Sequence, residues 1–289
     1  MALAPTMASR TALLTAAARA LHREEPPPWV LDDTLALPLA GDEGPALMDR
    51  LRAELPGPLL LSFCRWCCVR ARVPEDVVEQ ALENGVAQYV ILGAGLDSFA
   101  YRRHDLCARV RVVEVDHPAT QAWKRRRLAE LAIACPANLV YAPIDFERET
   151  LRAGLEASGV NVAVPAVFSW IGVTMYLTLD AIRATLTTVA AWPSGTQIVL
   201  TYNQPPAALQ GLGLAVETTL SRLVAEMGEP MISLFEPADI ERLLRQLGFA
   251  QIVHIGPEEA IRTYFAGPED VRFGGAQRVV VATVGAQRT

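Results

Sequence analysis

From residue 74 onward, short apolar runs alternate with stretches whose apolar residues recur every three or four positions. The runs "AQYVILGAG", "RVRVVEVDH", "NLVYAPIDF", "PAVFSWIG" and "GTQIVLTYN" read as five buried strands. "PEDVVEQALENG", a stretch near Tyr101, residues 121–134, residues 148–158 and "TLDAIRATLTTVAAW" carry helical spacing. Gly85 stops the first of these helices, and Thr178 is a natural N-cap for the last. Regular β-α alternation predicts an α/β fold with a parallel sheet and helices on both faces. After Asn203 the rhythm fails until about Pro230, a partly helical insertion. "EPADIERLLRQLGF" then reads as an amphipathic helix, and two β-rich runs, "AQIVHIG" and "AQRVVVATV", end the pattern.

Before residue 73 the chain reads as helices broken by proline-rich joints, "EEPPPWV" and "ELPGPLL". Nothing there carries evident chemistry, so residues 1–72 are expected to form a helical cap or a layer beside the sheet. A domain boundary is expected between residues 72 and 73, with residues 204–230 inserted into the second unit as further cap. "SRTALLTAAARALHREE" superficially resembles a signal peptide. Leu13, Leu14, Ala17 and Leu21 share one helical face with Arg10 and Arg19 interspersed, and an amphipathic helix is expected instead.

Composition narrows the picture. With 51% hydrophobic and 20% charged residues over 289 positions, a globular protein with a sizeable core is expected. A net charge of −6 weighs against a nucleic-acid partner. The run Lys-Arg-Arg-Arg at 124–127 reads as a solvated helix face. No apolar run reaches the roughly 18 residues of a membrane span, so no membrane partner is expected. Five cysteines, an odd count, suit a reducing cytoplasm. Cys64, Cys67 and Cys68 in "CRWCC" make half a zinc site with no second pair, and read as buried core thiols; no metal is expected.

Chemistry concentrates where strands end. "YVILGAGLDSFAYRR" is a strand that breaks at Gly93, Ala94 and Gly95 and enters a helix capped by Asp97 or Ser98. Such a turn cradles a nucleotide. A dinucleotide site wants a third glycine, where Ser98 stands, and the adjacent Asp97 carboxylate would repel a pyrophosphate. A nucleoside ligand with a cationic end fits better. The second strand ends in Glu114-Val115-Asp116, with both acids on one side by the period of two. Asp116 lies about twenty residues past the glycines, where an acid takes two ribose hydroxyls. The third strand ends in Asp145-Phe146, an acid for an adenine amino group and a ring to pack on its face.

"VRARVPEDVVEQALENGVAQYVILGAGLDSFAYR", followed by "EVDHPATQAWKRRRL", resembles the leucine carboxyl methyltransferase-related family of class I S-adenosylmethionine-dependent methyltransferases, and most closely its bacterial O-methyltransferase branch of natural-product type. The resemblance covers nearly the whole chain. It implies a Rossmann-like, seven-stranded, mostly parallel sheet with a helical cap, S-adenosylmethionine as cofactor and S-adenosylhomocysteine as product. It further implies that Arg72 holds the methionine carboxylate, that Gly93 lines the methionine part, that Asp116 holds the ribose, and that Asp145 and Phe146 flank adenine. Where many members carry a glutamate after the fourth strand, this chain has Ile171 in "WIGVTMYL". Ser169 is the candidate to replace it.

The acceptor side is expected at the end of the fifth strand, where Tyr202 and Asn203 would orient the substrate. His254, in the last part of the sheet, reads as structural. Without a base beside the methyl group, an already ionised carboxylate of a small-molecule or peptide-like natural product is the favoured acceptor, and a hydroxyl of a polyketide or similar metabolite the alternative. Two readings from other classes compete, a nicotinamide-dependent oxidoreductase and a non-catalytic nucleoside-binding protein.

Overall fold

A computed structural model describes residues 9–144, 150–265 and 275–286. The five predicted runs form β1 (Gln88–Leu92), β2 (Arg111–Asp116), β3 (Leu139–Pro143), β4 (Val167–Trp170) and β5 (Gln197–Asn203), and the last two form β6 (Phe249–Ile255) and β7 (Gln277–Val284). They make one seven-stranded sheet in the order β3-β2-β1-β4-β5-β7-β6. Strands β1 to β5 run parallel, and β7 enters antiparallel between β5 and β6. The order in which successive strands are added reverses between β1 and β4, from β1-β2-β3 on one side to β4-β5 on the other, which opens a crevice beyond their carboxyl ends.

The helices are α1 (Arg10–His22), α2 (Ala36–Ala40), α3 (Gly44–Glu54), α4 (Pro58–Glu83), α5 (Phe99–Arg102), α6 (His104–Cys107), α7 (Pro118–Glu130), α8 (Leu151–Ala157), α9 (Leu179–Ala190), α10 (Gly211–Glu226), α11 (Pro237–Leu247) and α12 (Pro257–Tyr264). Successive strand residues face opposite layers. Val90, Leu92, Val113 and Phe168 pack under α9 and α11 through Ile182, Leu186, Ile240 and Leu244. Tyr89, Ile91, Val112 and Val167 pack on the other face against Val78 and Ala81 of α4 and Leu128 of α7. The expected N-cap of α9 is in place, with Thr178 Oγ1 accepting from the Ala181 amide at 3.3 Å.

Three local expectations are corrected. The first helix, α1, is not one-sided: ten of its 13 residues are buried, because α3 and α4 pack around it. Alanines at 16, 17, 18 and 20 let those neighbours approach closely. Lys124 is not solvated. Its Nζ lies 2.6 Å from Glu114 Oε2 in a pair with each side chain 1% exposed, and burial pushes the Glu114 carboxyl up to about 7, opposed by Lys124. Finally, the expected boundary between residues 72 and 73 falls inside α4. That helix runs 26 residues straight through Pro74, with Val69 and Val73 buried before the proline and Val78 after it.

The "CRWCC" thiols lie in α4 as expected, buried and unbridged, and burial raises all three. Among the described residues no cluster of histidine, cysteine or carboxylate side chains could hold a metal ion, and no helix is long and apolar enough to cross a membrane.

Candidate active site

A cavity of about 910 Å³ opens beyond the carboxyl ends of the parallel strands, roofed by α1, α4 and α10. Its floor is the turn after β1. Gly93 and Gly95 hold φ +65° and +49°, left-handed values that disfavour side chains. A Cβ on Gly93 would lie 2.5 Å from Val173 Cγ2, in the loop after β4. The Ala94 amide donates to the Val115 carbonyl at 3.0 Å, which pins the turn to β2. The N-cap position of α5 is Ser98, but the capping bond comes from Asp97, whose Oδ1 accepts from the Phe99 amide at 2.8 Å. Ser98 Oγ instead accepts from Arg102 Nε at 2.8 Å.

Asp116 ends β2 against this turn. Its Oδ2 accepts from the Gly95 amide at 2.5 Å, and Oδ1 from the His117 amide at 2.7 Å. Burial pushes this carboxyl up, and those two backbone donors oppose the shift. Each oxygen keeps a lone pair for a further hydroxyl. Glu114 does not share this role; its carboxylate is committed to Lys124 and is not part of the cavity wall. Asp145 and Phe146 lie outside the described residues.

The arginine expected at the methionine end is corrected. Arg72 Nε pairs with Asp76 Oδ1 at 2.6 Å, and neither side chain lines the cavity, although Ala71 and Pro74 beside them do. Arg70 lines it. Two residues along an α-helix are separated by about 200°, so only one of the pair can face the cavity. Arg70 Nη1 donates to Gln277 Oε1 at 2.7 Å, and among the described residues it makes no ion pair. An unpaired guanidinium at the cavity wall is suited to a ligand carboxylate.

Sequence reasoning also missed a buried ion network beside the turn. Arg19 Nε meets Asp33 Oδ2 at 2.8 Å and Arg19 Nη2 donates to the Leu96 carbonyl at 2.8 Å. Arg102 approaches Asp33 at 3.5 Å and Glu75 at 2.5 Å. Its members come from α1, the segment before α2, α4 and α5, far apart in the chain. No motif announces them, though a buried arginine in an alanine-rich helix is a usable signal.

On the far side of β1, Ser169 Oγ accepts from the Tyr89 hydroxyl at 2.9 Å, and both side chains border the cavity with Ile171. The two acceptor candidates separate. Asn203 lines the cavity, whereas Tyr202 points to the opposite face of β5, into the core, with its hydroxyl 2.9 Å from His254 Nδ1. The alternation of a strand forbids both from facing one chamber. His254 is likewise away from the cavity, and its Nε2 lies 3.8 Å from Glu241.

The insertion brings a residue that the sequence did not single out. Glu217, on α10, lines the cavity and is 4% exposed. Asn203 Nδ2 stands 3.4 Å from both of its oxygens, and Ser221 Oγ donates to Oε1 at 3.0 Å. Burial raises the Glu217 carboxyl, opposed by Ser221 and Asn203. Just past α10, Glu229 accepts from Ser9 Oγ and from the Arg10 amide, each at 2.9 Å, and from the Thr11 hydroxyl. This carboxylate at the N-terminus of α1 fastens cap and insertion together at the cavity wall.

A sheet in this order, with a glycine turn after β1 and an acid closing β2, defines the class I, Rossmann-like methyltransferase fold. Two solved structures share it: "a putative methyltransferase from Thermobifida fusca YX", with TM-score 0.62, 20% identity and 95% and 94% of the two chains covered, and a DUF574 family protein from Streptomyces avermitilis, with TM-score 0.60, 16% identity and 96% and 98% covered. The family model for leucine carboxyl methyltransferase matches residues 12–190, and the chain belongs to that family of S-adenosylmethionine-dependent methyltransferases. Relatives include "Putative S-adenosyl-L-methionine-dependent methyltransferase YktD" of Bacillus subtilis, 30% identical over 91% of this chain and 93% of that one. A protein of Mycobacterium avium with the same description, without the gene name, is 35% identical over 62% of this chain and 59% of its own length. Membership sets aside the oxidoreductase and the non-catalytic readings: the protein is a methyltransferase, with S-adenosylmethionine as its cofactor.

Proposed function

We propose that the protein transfers the methyl group of S-adenosylmethionine to an oxygen of a small, largely apolar acceptor of natural-product type. The residues present fit the donor. Asp116 has free lone pairs for the ribose hydroxyls, the glycine turn leaves room for backbone contact, and Arg70 offers an unpaired cation to the methionine carboxylate. When bound, the donor supplies an electrophilic methyl group on a sulfonium. With ribose at β2 and the methionine part at β1, what lies beyond the sulfonium meets the ends of β4 and β5. The observation that carries the proposal is the cavity's continuation there: Asn203, Gln277 and Glu217 stand among Val216, Met175 and Met231. That wall offers a few groups that orient an oxygen within an apolar chamber.

The chain's task in this reaction is alignment and exclusion of water. Gly93, Asp116 and Arg70 fix the donor, and Asn203 with Gln277 positions the acceptor oxygen behind the methyl carbon. The expectation of a carboxylate acceptor rested on there being no base at this point, and Glu217 removes that premise.

The test is calorimetry followed by product chemistry. The protein is expected to bind S-adenosylhomocysteine and not NAD, and to place labelled methyl on oxygen. Binding of NAD without any response to S-adenosylhomocysteine, or methyl found on carbon or nitrogen, would overturn the reading.

A further inference from the structure

We infer that Glu217 is the proton acceptor of this site, and that the acceptor it serves is an apolar alcohol or phenol rather than a carboxylic acid. The inference rests on the O-methyltransferase reading and narrows it.

Three observations carry it. Glu217 is a carboxylate at the cavity wall, nearly sealed from solvent, and among the described residues no lysine, arginine or histidine pairs with it. A buried carboxylate without a counter-ion is a poor structural element: the neutral donors Ser221 and Asn203 offset only part of its lost hydration. Its orientation is also set from a distance. Arg70 can only donate, so Gln277 presents Oε1 to it at 2.7 Å; Gln277 Nε2 then donates to Asn203 Oδ1 at 3.1 Å. Asn203 is thereby left with Nδ2 towards Glu217, 3.4 Å from each oxygen. The arginine that faces the donor's carboxylate thus aligns, through two amides, the carboxylate that faces the acceptor. Third, the surrounding wall is apolar, with Val216, Leu220, Val224 and Met231.

A carboxylate acceptor would meet Glu217 as a like charge with no cation between them. A hydroxyl acceptor donates its hydrogen to Glu217 instead. As the acceptor oxygen forms its bond to the methyl carbon, the hydroxyl proton passes to Glu217, the carbon–sulfur bond breaks, and its electron pair stays on sulfur, leaving a neutral thioether. Asn203 and Gln277 are positioning residues in this scheme.

The experiment uses the full chain with tritiated S-adenosylmethionine and matched probes, naphthol against naphthoic acid and cyclohexanol against cyclohexanecarboxylic acid. The parent is expected to methylate the hydroxyl probes to alkali-stable ethers. Its rate should climb with pH as Glu217 ionises, to a plateau set above the ordinary carboxylate range. Glu217→Gln should lower that rate on the order of 100-fold and flatten the pH profile. Its S-adenosylhomocysteine affinity and melting temperature should stay those of the parent. Asn203→Ala should lower the rate less and keep the pH-dependent limb. Failure of the parent to methylate either hydroxyl probe, or a Glu217→Gln variant as fast as the parent, overturns the inference. An alkali-labile methyl ester as the sole product overturns it too, and leaves O-methylation standing. Should Glu217→Gln fold poorly, Glu217→Asp takes its place. A shorter carboxylate that retains the pH limb at reduced rate supports proton transfer, and one indistinguishable from the parent in rate and profile counts against it.

Discussion

At the donor end of the cavity, the turn after β1 and the acid ending β2 meet through backbone hydrogen bonds, with Asp116 held by the Gly95 and His117 amides. At the acceptor end, the polar groups come from β5, β7 and the α10 insertion and are held by side chains, in the series Gln277, Asn203, Glu217, which Arg70 of α4 joins to the donor end. The first arrangement is dictated by chain geometry and, in the function proposed above, serves a ligand that does not vary. The second can change with any substitution on α10 without disturbing the sheet. Donor binding should therefore be robust to changes on α10, and the acceptor should be set by α10 residues that leave the donor untouched.

The sharpest way to break that separation is at the donor end. Asp116→Ala should weaken S-adenosylhomocysteine binding by about 1.5–3 kcal/mol, the usual loss for charge-assisted hydrogen bonds. The fold should persist, since a strand-end acid is not core, and calorimetry beside a melting curve checks both. A folded variant that binds like the parent would remove the ribose role. A smaller effect should separate the two arginines. Arg70→Ala is expected to cost the donor about tenfold in affinity, about 1.4 kcal/mol. Arg72→Ala should leave affinity alone and cost only the few tenths of a kcal/mol of an i,i+4 ion pair with Asp76. Equal losses from both would show that the helix face has been misjudged.

Smaller than the Arg70 effect, and confined to stability, is that of Tyr202→Phe. It removes the hydrogen bond to His254 in the layer opposite the cavity and should cost about 1 kcal/mol with methyl transfer unchanged. A pH series refines this. Burial holds the His254 imidazole below its ordinary value, so the unfolded chain takes up the proton first as pH falls. The associated stability is present above the unfolded pKa of about 6.5 and is lost progressively below it. His254→Gln should flatten the melting temperature between about pH 7.5 and pH 5.5 relative to the parent, which differential scanning fluorimetry reads directly.

Legibility from sequence followed the same division. Period and alternation revealed the strands of the sheet, the Thr178 cap, the glycine turn and Asp116, because each is fixed by local geometry that leaves a pattern in the chain. The errors were of phase and of distance. "RAR" on a helix offers two arginines and only one faces in; "TYN" on a strand offers two polar ends and only Asn203 faces the cavity. The motif gives the stretch and tertiary packing chooses the residue. Glu217 lies in a segment of weak periodicity, and its meaning depends on Asn203 and Gln277, far from it in sequence. Lys124 reads as solvated among three arginines because its partner, Glu114 on β2, is brought to it only by tertiary packing.

Helix α4 carries a consequence for how the molecule melts. Its first half contributes Phe63, Cys64 and Cys67 to the core shared with α1 and α3, and its second half contributes Val78 and Ala81 to the layer beneath β1. The same rod thus belongs to both cores, and neither can loosen without withdrawing packing from the other. A chain begun at residue 73 would lose the turns that carry Arg70 and Trp66 and would expose the face of β1 that α1 covers through Leu13 and Ala16. Cap and sheet are therefore expected to unfold in one cooperative step, and the protein to resist division into separately folding halves.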